Sequence, residues 1–271
     1  MEYPKPYEEC LEHFDTVISA ATGVSQGAAG RRSATNKHYW ASILFTRLCG
    51  AGISLLLLLP RNRRVRATID HWDFAAVAAL GRQVVESYFA FFYLCVDRVS
   101  KDEWQCRWNV FNLHDCVSRK RLFETLKISG DDVHGFEEQA EELRARLKSN
   151  EYFTSLEGKR QRKILKGKSA YLLSQDEIIV RLGGDIAHFR GLYQFMSAHV
   201  HTYPLSFYRI GKERGRGLEN RVEKNYICMT LDYLDEYIIR AVREMVKLFP
   251  GSADKLSEKS RKVIFEPFEK E

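Results

Sequence analysis

Strand signals are nearly missing from this sequence, which leaves helical periodicity to organise it and places it in the all-α class. No CxxC pair is present either. The six cysteines, Cys10, Cys49, Cys95, Cys106, Cys116 and Cys228, are scattered, several inside apolar helical pattern, and the N-terminus does not read as a cleavable leader. Reduced thiols in a cytoplasmic protein are therefore expected, not a disulfide or zinc framework. His188, His199 and His201 cluster without an HExxH or carboxylate-rich spacing, so no metal and no other cofactor is expected. The absence of GxxxxGK[ST], of a dinucleotide fingerprint and of a nucleophile elbow excludes the chemistries those motifs serve. With 42 Lys and Arg against 36 Asp and Glu in 271 residues, the net charge of +6 permits contact with a polyanion without requiring it.

What is there begins with residues 73–97, DFAAVAALGRQVVESYFAFFYLCVD, where only Arg82, Gln83, Glu86 and Ser87 interrupt the apolar run. Such a stretch predicts a central buried helix, and charges inside it must be paired or cost several kcal/mol. A second apolar stretch, residues 39–60, has the length of a membrane span and a trailing basic run. Arg47 sits inside it, at roughly 2.5 to 3.5 kcal/mol on an insertion scale, so a core helix is expected and membrane contact is not. The two helices would form a buried hairpin over residues 37–97. Arg47 and Glu86 lie equally far from its turn and are expected to meet, with Arg82 one turn from Glu86 on nearly the same face.

Around this hairpin the sequence predicts an N-terminal helix over residues 7–21 and a mobile, Gly-rich linker to residue 36. A helical bundle domain is expected over residues 37–249, and a tail over 250–271. An amphipathic helix over residues 101–126 counts Trp104, Trp108, Phe111 and Leu122 among its apolar positions. Ser129 and Gly130 should break the chain before a charged, exposed helix. Residues 159–168, KRQRKILKGK, form the densest basic run and are the candidate contact for RNA or another phosphate-bearing ligand. Ser174 should cap a short helix, Asp185 another, and a polar loop, KERGRGLEN, precedes a long final helix. Its apolar positions Ile227, Leu231, Leu234, Ile238, Val242, Met245 and Phe249 offer a packing stripe or a homo-oligomer surface.

Tyr193, Ser197 and His201 are spaced by four and share a helix face, with His199 about 160° from His201. If that face meets the central helix, His201 reaches Glu86, and a carboxylate that fixes one imidazole nitrogen poises the other for proton transfer. The same contact could equally be a packing lock. Arg107 and His114, seven apart on one face of a helix, match in type the Arg-x(4 to 6)-His motif of HEPN ribonucleases. That resemblance implies metal-independent chemistry, with the histidine moving the 2′-hydroxyl proton and the arginine meeting phosphate charge.

A helix with an internal Arg ending in a Leu run, then Gly81, Arg82, Glu86 and Ser87, and later Tyr193, Ser197, Val200 and His201, resembles a widespread bacterial family of uncharacterised all-helical proteins. The likeness covers roughly residues 37–249. Some families of this look are grouped with HEPN domains, which implies an RNA-directed role. Related patterns often place Pro or Gly right after the last His, where this chain has Thr202. The expectation is a site of Arg47, Arg82, Glu86, Tyr193, Ser197 and His201 acting on RNA or a nucleotide, or the same residues as the structural network of an interaction protein.

Overall fold

The computed structural model describes residues 3–66, 68–128, 131–207 and 217–266. In chain order the helices are α1 Tyr7–Ala28, α2 Asn36–Leu58, α3 Phe74–Phe91, α4 Lys101–Thr125, α5 Asp131–Lys148, α6 Glu151–Thr154, α7 Gly158–Leu165, α8 Gln175–Arg181, α9 Ile186–Val200, α10 Pro204–Phe207, α11 Arg221–Leu248 and α12 Glu258–Phe265. A π-helical turn, Phe92–Val96, extends α3. There is no β-strand among the described residues, only one isolated antiparallel bridge between Trp72 and Gly217. The break expected at Ser129 and Gly130 lies outside the described residues, as does most of the loop before α11.

The chain divides into two compact units, Met1–Val96 with Asp185–Glu271, and Asp97–Gly184. In the first, α2 and α3 form the expected hairpin, and α11 packs against α1, α2 and α3. Ile227, Leu231, Leu234, Ile238 and Val242 are completely buried, and Met245 and Phe249 nearly so. Each such side chain contributes roughly 1.5–3 kcal/mol, so α11 is the spine of this unit. Its apolar stripe is occupied by the core of this unit.

The Gly-rich segment after residue 21 is not a linker down to residue 36. Helix α1 continues through it to Ala28, burying Val24 and Ala28. Tertiary packing overrides the local propensity because α1 must lie very close to the chain beyond α11. A Cβ at Gly27 would sit 2.1 Å from the Ser252 carbonyl oxygen, so no larger residue fits there. Helix α1 is thus part of the first unit's core, and α12 also packs on α1 and α11. Helix α2 is long and apolar enough to cross a membrane, with 44% of its most apolar window buried.

The second unit has its own core of Cys106, Val110, Leu113, Cys116, Ala140, Leu147, Phe153, Ile164 and Leu172. On α4 the inward face is therefore Cys106, Val110, Leu113 and Cys116. The aromatic set expected there, Trp104, Trp108 and Phe111, is half-buried, and Leu122 is exposed. Helix α8 carries the expected capping box, Ser174 with Glu177.

Candidate functional site

In the first unit, α3 starts where Asp73 Oδ1 accepts from the Ala75 and Ala76 amides at 2.9 and 3.4 Å. One face of α3 then meets α9 and α11 at Gly81. A Cβ there would lie 3.3 Å from Met196 Sδ and Thr230 Cγ2 and 3.4 Å from Leu234 Cδ1. This close approach brings the next residue, Arg82, against α9. Arg82 Nη2 donates to Tyr193 Oη at 2.8 Å, and the guanidinium lies 4.7 Å from the centre of the Tyr193 ring. Tyr193 Oη in turn donates to Glu86 Oε1. The hydroxyl is thus a relay: it accepts a hydrogen bond from the arginine and donates one to the carboxylate. Arg82 Nε is buried with no partner among the described residues.

Three of the expected six site residues therefore come together, and three do not join them. Ser197 Oγ donates at 2.6 Å to the Tyr193 carbonyl on its own helix, a local back-bond that ties it to the backbone. Arg47 is exposed. It lies on the outer side of α2, whose buried residues include Phe45, Leu48, Cys49, Leu55 and Leu56. Because α2 is apolar all round, its pattern carries no phase to predict this.

His201 is exposed, and its ring stacks on Tyr203 at 5.4 Å, so the expected pair with Glu86 is not made. The reason is helix phase. Phe189 and Met196 set the inward direction of α9, and His201 lies about 120 to 140° away from it. Residue 201 is also the C-cap. Thr202 N donates to the His199 carbonyl at 3.3 Å and Tyr203 N to the Ala198 carbonyl at 2.9 Å, the double bond of a Schellman ending. Thr202 takes the left-handed position at φ +52°, where glycine is favoured and a β-branched residue is strained.

The histidine that does turn inward is His199, which the sequence pattern set aside. It is buried, its Nδ1 is 2.9 Å from the Phe195 carbonyl, and the rings of Phe195 and Phe74 lie 4.6 and 4.8 Å away. Since a carbonyl only accepts, Nδ1 carries the proton.

Two further residues missed from the sequence sit between α1 and α11. Asp235 is fully buried, has no hydrogen-bond partner among the described residues, and has His13 Nε2 at 3.6 Å. Burial pushes the Asp235 carboxyl well above the usual carboxylate range, with the nearby Asp232 adding to the shift and Lys5 opposing it. Burial also lowers the His13 pKa. A signal was legible here: Asp235 falls four after Leu231 and three before Ile238, on the apolar stripe itself.

In the second unit Arg107 is completely buried. Its Nη2 donates to Asp97 Oδ2 at 2.7 Å and Glu103 Oε1 at 2.6 Å, and Arg181 Nη1 reaches the same Asp97 oxygen at 2.7 Å. Two carboxylates thus claim the guanidinium, which leaves it no free face for a substrate phosphate. His114, two turns on, is engaged elsewhere: its Nδ1 donates to the Gly167 carbonyl at 3.0 Å. The Arg107 and His114 pair does not form a joint site. Among the described residues no three His, Cys, Asp or Glu side chains gather as a metal would require.

The fold and these clusters define an all-helical protein in which α3 and α9 meet through an Arg82, Tyr193, Glu86 relay. The chain belongs to a family of unknown function, DUF5677, whose profile matches residues 38–218. That stretch holds α2, α3, the second unit and α9, while α1, α11 and α12, which complete the first unit's core, lie outside it. No curated protein and no solved structure matches the chain.

Proposed function

We propose that the protein is a non-catalytic helical module that contacts RNA, or another polymer of phosphates, through α7 of its second unit. The observation that carries this reading is a set of unpaired cations. Lys159, Arg162, Lys163, Lys166 and Lys168 are all exposed, and none has an ion-pair partner among the described residues. No acidic residue occurs between Glu157 and Asp176. Several other cations of this unit are neutralised: Lys120 by Glu137, Arg144 by Glu141, Arg146 by Glu142. On α7, residues 159, 162, 163 and 166 fall within an arc of about 100°, while Ile164 points inward and anchors the helix.

His114 finds a role in this reading. By donating to the Gly167 carbonyl it pins the turn that carries Lys166 and Lys168. Gly167 itself adopts φ +64° and packs so that a Cβ would lie 2.6 Å from Val117 Cγ2. The non-catalytic part of the proposal rests on Glu86 being held by Tyr193 while His201 faces solvent.

The test is fluorescence anisotropy of a short labelled single-stranded RNA across a salt series. Binding should weaken steeply with salt, and replacing Lys159, Arg162 and Lys163 by Glu should flatten the log–log slope by roughly 0.7 for each phosphate no longer neutralised. An unchanged slope, or no binding at low salt, overturns the proposal.

A further inference from the structure

Both sides of α2 are apolar, and the core uses one of them. Ala41, Phe45, Leu48, Cys49, Leu55 and Leu56 are buried, and α2 packs on α1 and α3. About 180° around the helix lie Tyr39, Ile43, Thr46, Gly50, Ser54 and Leu57, all exposed and within an arc of about 80°. Tyr39 is 51% exposed, Ile43 41%, Leu57 43% and the adjoining Leu58 40%. A Cβ on Gly50 would meet nothing within 4 Å, so the middle of this stripe is open. Two hydroxyls on this side are turned back onto the helix. Thr46 Oγ1 donates to the Ser42 carbonyl and Ser42 Oγ to the Tyr39 carbonyl, both at 2.8 Å, so they lose little on leaving water.

We propose that this outer face of α2 lies on an anionic lipid surface, with the helix in the plane of the headgroups. The distribution of charge names the occupant. No acidic residue occurs between Asp15 and Asp70, whereas that stretch carries eight Lys and Arg. Arg61 is held by Glu8 and Glu219, and Arg63 and Arg64 by Asp15. Arg32 before the helix, Arg47 at the edge of the stripe and Arg66 beyond it are exposed, with no ion-pair partner among the described residues. An apolar helix face rimmed by such cations matches acyl chains and lipid phosphates at once.

The helix does not cross the bilayer, because its other half is committed to the core. Arg47 counts against a span but not against a helix lying flat, where every position sits at interfacial depth and a long side chain reaches the phosphates. A second copy of the chain fits worse. An antiparallel two-fold pairing of the stripes from Tyr39 to Leu57 would be centred near residue 48. It would set the two Arg47 side chains beside each other, with no carboxylate on either stripe to separate them.

The test is co-sedimentation of the full-length protein with vesicles of phosphatidylcholine alone and of an equimolar mixture with phosphatidylserine. The protein should sediment with the mixed vesicles and stay in solution with the neutral ones. Ile43→Glu with Leu57→Glu should lower the partition by about tenfold or more, because carboxylates on the stripe oppose both burial in acyl chains and anionic headgroups. Both positions are exposed, so a thermal melt should show the variant folded. Hydrogen exchange of the parent protein on the mixed vesicles needs no variant. It should slow over residues 39–58 and not only over the basic run 159–168, which separates this surface from the one proposed for RNA. Equal binding to both vesicles, no binding, binding that survives the two substitutions, or protection confined to residues 159–168 overturns the proposal. A dimer in light scattering that the same substitutions dissolve assigns the face to a second copy and overturns it too.

Discussion

Each unit is built around an arginine, and the two arginines are handled differently. Arg107 of the second unit is wholly enclosed and met by two carboxylates, each about one-eighth exposed, with Arg181 backing them. Arg82 of the first unit is half-buried and reaches its carboxylate only through a tyrosine hydroxyl. A charge removed completely from water needs direct, multiple counter-charges, because its desolvation cost exceeds what one neutral hydrogen bond returns. A half-buried charge keeps part of its hydration and can accept a polar intermediary. Burial therefore marks Arg107 as a structural lock, and the looser Arg82 relay as the adjustable one. The Asp235 carboxylate is a third case, as deeply buried as Arg107 but with no comparable partner.

Arg107→Ala tests the lock most severely. It strands Asp97 and Glu103 beside Arg181 alone and should cost about 3–5 kcal/mol in chemical denaturation. A loss below that of Arg82→Ala would break the comparison.

Asp235→Asn tests the buried carboxylate, whose one ionisable neighbour within 4 Å among the described residues is His13. A carboxyl whose folded pKa is raised holds its proton in the native state after the unfolded chain has released it, so stability falls as pH rises above about 4. The variant should be more stable than the parent at pH 7, and the gain should vanish below about pH 4. The lowered pKa of His13 works the other way, costing stability as pH falls below about 6.5 in both proteins. A gain independent of pH would remove Asp235 from this account.

Tyr193→Phe keeps the ring over the guanidinium and deletes only the relay hydroxyl. It should cost about 1 kcal/mol, and a double-mutant cycle with Arg82→Ala should show coupling of similar size. Additive effects would mean that the relay carries no shared energy. Smallest of all, Thr202→Gly should stabilise the end of α9 by about 0.5–1 kcal/mol in thermal melts, because it relieves the left-handed strain without touching the relay.

Much of this was legible before any coordinates. The α2 and α3 hairpin, the caps at Ser174 and Asp185, the stripe on α11 and the charged surface of α5 follow from periodicity and cap chemistry. The height match that paired Arg47 with Glu86 failed because an evenly apolar helix has no phase to read. The choice of His201 over His199 failed for a related reason. The spacing of four from Tyr193 is real, yet Phe189 and Met196 decide which face of α9 is turned inward.

Composition and periodicity by themselves determined that this chain belongs to the all-α class, where most helices begin and end, and which residues form the apolar stripe of α11, since these depend on neighbours within a turn or two. Only the tertiary structure decided that Tyr193 joins Arg82 to Glu86, that Arg107 is enclosed by Asp97 and Glu103, and that Asp235 is buried beside His13. Those pairings join side chains whose meeting depends on how each helix is rotated about its own axis. Packing against several partners at once sets that rotation, and it selects among faces that look alike along the chain.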